Sequence, residues 1–132
     1  MKASLLCGLA MVLGLAAVPA IAHHSFAAEY DAAKPVTLTG TVTKVEWMNP
    51  HARFYIDVKD DAGKVTNWEF ELGSPNGLMR AGWTRNSLKQ GDTVTVSGSL
   101  AKDGSNLANA RSVTLADGKK VFAASSETEN KQ

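Results

Sequence analysis

The sequence predicts an all-β domain, a small barrel of five strands with one short helix between the third and fourth. Three observations predict it. Apolar and polar residues alternate with period two in successive stretches separated by turn signals. The first of these stretches slips its alternation by one residue midway, as a bending strand does. One helix-start signature falls between the third and fourth stretches.

The first strand is "VTLTGTVTKVEWM", with Val36, Leu38, Gly40 and Val42 on one face and threonines on the other. At Val45 and Trp47 the apolar residues change parity, which requires a bulge, and Gly40 nearby lets the backbone curl. "ARFYIDVK" keeps strict parity, with Ala52, Phe54, Ile56 and Val58 facing inward. "DDAGK" is a hairpin turn, and "VTNWEFEL" returns with Trp68, Phe70 and Leu72 inward and Asn67, Glu69 and Glu71 outward. "GSPNGLMRAGW" is the helical element: Ser74 caps it, Pro75 takes the first helical position and Gly82 stops it. "LKQGDTVTVSGSL" makes the fourth strand, with Val94, Val96 and Leu100 on one face, and "LANARSVTL" a weaker fifth, which "ADGKKVF" extends as a hairpin. A long bent first strand and this helix position describe the OB-fold, a partly open five-stranded barrel. A six- or seven-stranded sandwich is the competing architecture at this length.

Ahead of the barrel, residues 1–22 read as a secretory signal peptide: Lys2, an apolar run from Ala3 to Val18, Pro19, and a small-x-small site at Ala20 and Ala22. The apolar run is shorter than the roughly 20 residues a membrane span needs, so the expectation is a periplasmic or secreted protein without a stable membrane anchor. Cys7 lies inside the apolar run rather than after it, which argues against a lipoprotein signal. The expected organisation is therefore signal peptide 1–22, N-terminal arm 23–35, OB-fold-like barrel 36–122 and disordered tail 123–132.

Processing takes the sole cysteine with it, so the mature domain folds without a disulfide. The whole chain carries 14 basic and 13 acidic residues, and removal of Lys2 leaves it formally neutral. Neutrality argues against nucleic acid and anionic membrane, both of which rely on a basic excess.

The segments "AHHSFAAEYD", "LTGTVTKVEWMNPHARFYIDV", "WEFELGSPNGLMRAGW" and "LKQGDTVTVSG" together resemble a family of small exported bacterial proteins known only as a domain of unknown function. The resemblance spans nearly the whole mature chain through His-His-Ser-Phe, Trp-x-Asn-Pro-His, Trp-x-x-Glu and Gly-Trp. It implies a barrel and an envelope location, and it brings no activity. "GTVTKV" and "LKQGDTVTVSG" are similar, more loosely, to other periplasmic OB-fold proteins. One of these, the haem chaperone of cytochrome maturation, uses a His and a downstream Tyr; after Val58 this chain has neither.

All three histidines lie in these motif segments: His23, His24 and His51. A cut after Ala22 exposes His23, whose α-amine and imidazole Nδ1 chelate one ion, and Cu(II) favours such tetragonal nitrogen sites. His24 and His51 are candidate further ligands, His51 completing a T-shaped arrangement if the arm folds back. A cut after Ala20 would instead place His23 third, a Cu(II)/Ni(II) chelator on its own. The bland reading treats the pair as solvated terminal sequence and His51 as a turn residue after Asn49 and Pro50.

Among the acids, Glu46, Asp57, Glu69 and Glu71 read as a solvated outer face, with Glu69 or Glu71 as the alternative partner that orients His51. Trp47, Asn49 and Tyr55 line the groove in an alternative reading, a metal-free module that binds a peptide, glycan or envelope protein partner. Phe26 and Tyr30, four apart, are expected to pin the arm to the barrel. Without a thiol, a phosphate loop or a held nucleophile–base pair, the expected role is not enzymatic. The leading expectation is a periplasmic Cu(II)-binding protein.

Overall fold

A computed structural model describes residues 25–123 of the chain. The element order is α1 (Phe26–Glu29), β1 (Tyr30–Glu46), β2 (Arg53–Lys59), β3 (Val65–Glu71), α2 (Pro75–Arg80), β4 (Thr93–Ala101), β5 (Leu107–Leu115) and β6 (Lys120–Phe122). The strands run β3-β2-β1-β4-β5-β6, and a parallel pairing of β3 with β5 closes the sheet on itself. All other neighbours are antiparallel. This is the OB-fold barrel, with α2 between β3 and β4 as the capping signature predicts. The sixth strand is the short hairpin extension of β5.

The slip in alternation along β1 is a bulge: its register with β2 shifts between Val42 and Lys44. Close approach of two backbones explains the glycine before it. A Cβ on Gly40 would lie 2.4 Å from the Asp57 carbonyl oxygen. Gly98 plays the same part where β4 shifts register against β5, a Cβ there meeting the Asn109 carbonyl oxygen at 2.1 Å. Only a residue without a side chain lets the barrel turn at these corners.

Inside the barrel Val42, Phe54, Ile56, Phe70, Val94, Val96, Ala108, Ala110 and Val113 pack as one core. Phe54 and Phe70 stack at 5.4 Å between ring centroids. Strict alternation in β2 and β3 delivers those side chains to one face. Leu78 of α2, with Trp83 just beyond it, belongs to the same core. The Ser74 hydroxyl accepts from the Gly77 amide at 3.1 Å, capping the helix as its sequence implied.

Three expectations need correction. β1 starts at Tyr30 rather than Val36, so half of the expected arm is strand, with Tyr30 opposite Ala101 and a shift in register before Pro35 meets Ser99. Ala123, expected to open a disordered tail, is fully buried: its carbonyl accepts from Gly73 at 2.9 Å and its amide donates to Arg111 at 3.0 Å. Glu71, expected on a solvated face, is 3% exposed. The reason lies in the arm, which covers the end of β3.

Candidate functional site at the Glu71 carboxylate

Glu71 ends β3, where register sets it beside Arg53 of β2 on one side and Asn109 of β5 on the other. Asn109 in turn pairs with Ser99 of β4. Glu71, Asn109 and Ser99 thus form a polar row across three strands, all of it nearly inaccessible. Alternation alone makes these outward positions. They are buried because the N-terminal arm adds a second small cluster on that side, in which Phe26 and Tyr30 pack with Ala101 and Leu107.

The arm is held by more than apolar contact. The Phe26 and Tyr30 rings lie 5.6 Å apart, the Lys102 amide donates to the Glu29 carbonyl at 2.8 Å, and the Lys102 ammonium donates to Ala27 at 2.5 Å. The Tyr30 hydroxyl donates to Glu71 Oε2 at 3.1 Å. The pinning role expected of Phe26 and Tyr30 is what these contacts describe, with a hydrogen bond that the sequence did not announce.

His51 approaches the same carboxylate from the β1–β2 connection. Its Nδ1 lies 3.2 Å from Glu71 Oε1, with the imidazole side chain 18% exposed. Arg53 Nη2 reaches Oε2 at 3.3 Å while its Nη1 pairs with Glu69. Asn109 Nδ2 stands at 3.5 Å from Oε1, the limit of a hydrogen bond. One buried carboxylate therefore collects four donors, from β1, the β1–β2 connection, β2 and β5.

The electrostatics follow from that arrangement. Burial alone would raise the Glu71 carboxyl, but the hydrogen bond and charge of His51, the Tyr30 hydroxyl and Arg53 together hold it below its ordinary value. Tyr30 moves the other way: burial first, then the Glu71 charge and hydrogen bond, push its phenol well above the usual range. The pair is thus a neutral phenol donating to an ionised carboxylate. Such charge-assisted bonds are the stronger class.

The remaining sequence-predicted residues are scattered around this centre. His23 and His24 lie outside the described residues. Asn49 is exposed in the connection, before a cis peptide bond to Pro50. Trp47 packs against the barrel core, whereas Tyr55 is on the outer face, where its hydroxyl donates to Glu46 at 3.3 Å and Lys44 lies 5.3 Å over its ring. These two aromatics do not share a face, so they do not assemble one groove. Among the described residues no group of three His, Cys, Asp or Glu side chains is arranged to hold a metal, and no helix is long and apolar enough to cross a membrane. Sequence reasoning missed Arg53 and Asn109; both read as ordinary outward strand residues, and only the β3–β5 closure brings Asn109 to Glu71.

A family model described as a family of unknown function, DUF6152, matches residues 11–110. The chain belongs to that family. No curated protein matches this DUF6152 chain in sequence. Among solved structures it is similar to the mitochondrial single-stranded DNA-binding protein Rim1 of S. cerevisiae, with a TM-score of 0.50 and 9% identity over 63% of this chain and 93% of that one. It is also similar to the N-terminal domain of PriB from Thermoanaerobacter tencongensis, with a TM-score of 0.47 and 18% identity over 63% of this chain and 96% of that one. At such identity the first likeness bears on the fold alone.

Proposed function

We propose that this DUF6152 member is an exported, non-enzymatic Cu(II)-binding protein that uses the mature N-terminus with His23, together with His51 and His24 as further ligands. The observation that carries the reading is the sharing of one carboxylate. Glu71 holds His51 through Oε1 and the arm's Tyr30 through Oε2. In sequence His23 and His24 stand just before Phe26, the first buried residue of the arm among those described.

The chemistry fits a ligand imidazole. A metal-binding histidine commonly donates its second ring N–H to a carboxylate, which fixes the ring and its tautomer. In the neutral form that a metal ligand requires, a ring with Nδ1–H directed at Glu71 carries its lone pair on Nε2. Nε2 of His51, the terminal amine and Nδ1 of His23 would supply the nitrogen set that Cu(II) prefers.

Nucleic acid is not part of the proposal, although barrels of this kind use the face of their second and third strands for oligonucleotides. On that face Asp57, Glu69 and Glu71 stand with Arg53 and Lys59, and Arg53 is already paired to Glu69 and Glu71, an arrangement that does not favour phosphate. The test compares chains beginning at His23, chains with one added N-terminal alanine, and His51→Ala, each titrated with Cu(II) against glycine as competitor. The expected result is a weakening of ten-fold or more for both altered proteins. Equal binding by the intact and extended chains would overturn the proposal.

A further inference from the structure

The chain has one Asn-Gly step, Asn76–Gly77, and it lies in α2. Every other asparagine precedes a residue whose side chain crowds the next backbone nitrogen or, at Asn49, a proline without an N–H. In an Asn-Gly step the carboxamide carbon is an electrophile beside an unhindered nucleophile. Once deprotonated, the glycine nitrogen attacks Cγ, closes a succinimide ring and expels ammonia; water then opens the ring to aspartate or isoaspartate. Water is the only co-reactant.

Local geometry decides how fast that chemistry runs here. Asn76 is exposed, so water and base reach its carboxamide. The Gly77 nitrogen is not free to attack, because its N–H donates to the Ser74 hydroxyl at 3.1 Å. Helical backbone over Pro75–Arg80 also fixes the Asn76 ψ that ring closure must change. Both restraints end only when α2 opens, which breaks the bonds from Leu78 to the Ser74 carbonyl at 2.9 Å and from Ala81 to the Gly77 carbonyl at 3.1 Å. We infer that Asn76 is a self-modification site, a residue that deamidates at a rate gated by the Ser74 hydroxyl on the Gly77 amide. Its two products differ in consequence. Aspartate keeps the backbone and adds a favourable charge to the first turn, whereas isoaspartate inserts a methylene between the capping residue and Leu78, which is fully buried in the core.

The inference is independent of the copper reading and has its own test. Chains beginning at His23, as wild type, Ser74→Ala, Ser74→Thr and Asn76→Gln, are held at mildly alkaline pH and mapped by peptide mass for the gain of one unit that exchange of amide for acid brings. A peptide of residues 73–80 supplies the unrestrained rate. Wild type should deamidate first at Asn76 and at least about ten-fold more slowly than the peptide, since reaction waits on opening of α2. Ser74→Ala should react about five-fold faster than wild type, the rise in open population that loss of a cap brings, and Ser74→Thr should restore the slow rate. Asn76→Gln should gain no mass at that position. Hydrogen exchange at the core amide of Val96, read in the same samples, separates opening of α2 from unfolding of the barrel. A wild-type rate equal to that of the peptide would overturn the inference whatever the variants do. So would equal rates in wild type and a folded Ser74→Ala chain, or earlier deamidation at another asparagine.

Discussion

Tyr30 and His51 are joined through the two oxygens of one carboxylate: the phenol donates to Glu71 Oε2 at 3.1 Å and the imidazole Nδ1 lies 3.2 Å from Oε1. The first residue belongs to the start of β1, the second to the connection at its far end. A 17-residue strand is thus tied back at both ends to the last residue of β3.

Replacing the shared acceptor should be costly. Glu71→Ala leaves the buried Tyr30 hydroxyl without its acceptor and the Arg53 guanidinium with one carboxylate instead of two. A loss of about 2 kcal/mol in unfolding free energy is expected from the desolvated groups left behind. Urea denaturation at neutral pH checks it, and an unchanged midpoint would contradict the network as described.

Tyr30→Phe keeps the ring contact with Phe26 and removes only the hydroxyl. We expect a loss of about 1 to 2 kcal/mol for one hydrogen bond to a charged acceptor, concentrated in the arm. Hydrogen exchange should speed up at the Ala28 and Lys102 amides, which bond to Ser25 and Glu29, more than at the core strands. Uniform acceleration across the barrel would show that the hydroxyl does not hold the arm locally.

Acid sensitivity follows from the sign of the Glu71 shift. Its folded value is lowered from 4.5, so between the folded and unfolded values the unfolded chain binds more protons. The stabilisation is complete above the ordinary carboxylate value and is lost as pH falls through the depressed folded value. Unfolding free energy measured from pH 6 down to pH 2 should drop more steeply in wild type than in Glu71→Gln. Parallel curves would assign the acid transition to other groups.

Gly40→Ala tests the barrel corner. The added Cβ would come within 2.4 Å of the Asp57 carbonyl oxygen, so β1 and β2 must move apart. A destabilisation of about 2 to 3 kcal/mol is expected, of the size seen for overpacking. Ala at Gly104, where nothing lies within 4 Å of the new Cβ, provides the comparison for a strained turn without a clash. Thermal unfolding of the two variants reads the difference.

The architecture was legible because local patterning and global fold agree. Alternation in "ARFYIDVK" and "VTNWEFEL" specifies which side chains enter the core, and Phe54, Ile56 and Phe70 are fully buried as their parity requires. The parity slip after Val42 announces the bulge, and Ser74, Pro75 and Gly82 mark the helix, because bulges and caps are made by a few adjacent residues. The membership of Glu71, Arg53 and Asn109 in one polar row was not legible. Their parity is that of solvent-facing residues, and Glu71 and Asn109 are 38 positions apart in the chain.

By itself, then, the sequence determined the barrel, its bend, its helix and the grouping of three histidines in two motif segments. Tertiary structure decided which outward acid is buried and which residues meet it. Parity assigns a side chain to a face of its own sheet, whereas burial of that face depends on what else packs there. Here Tyr30 and the arm pack over the end of β3, and closure of β3 on β5 brings up Asn109.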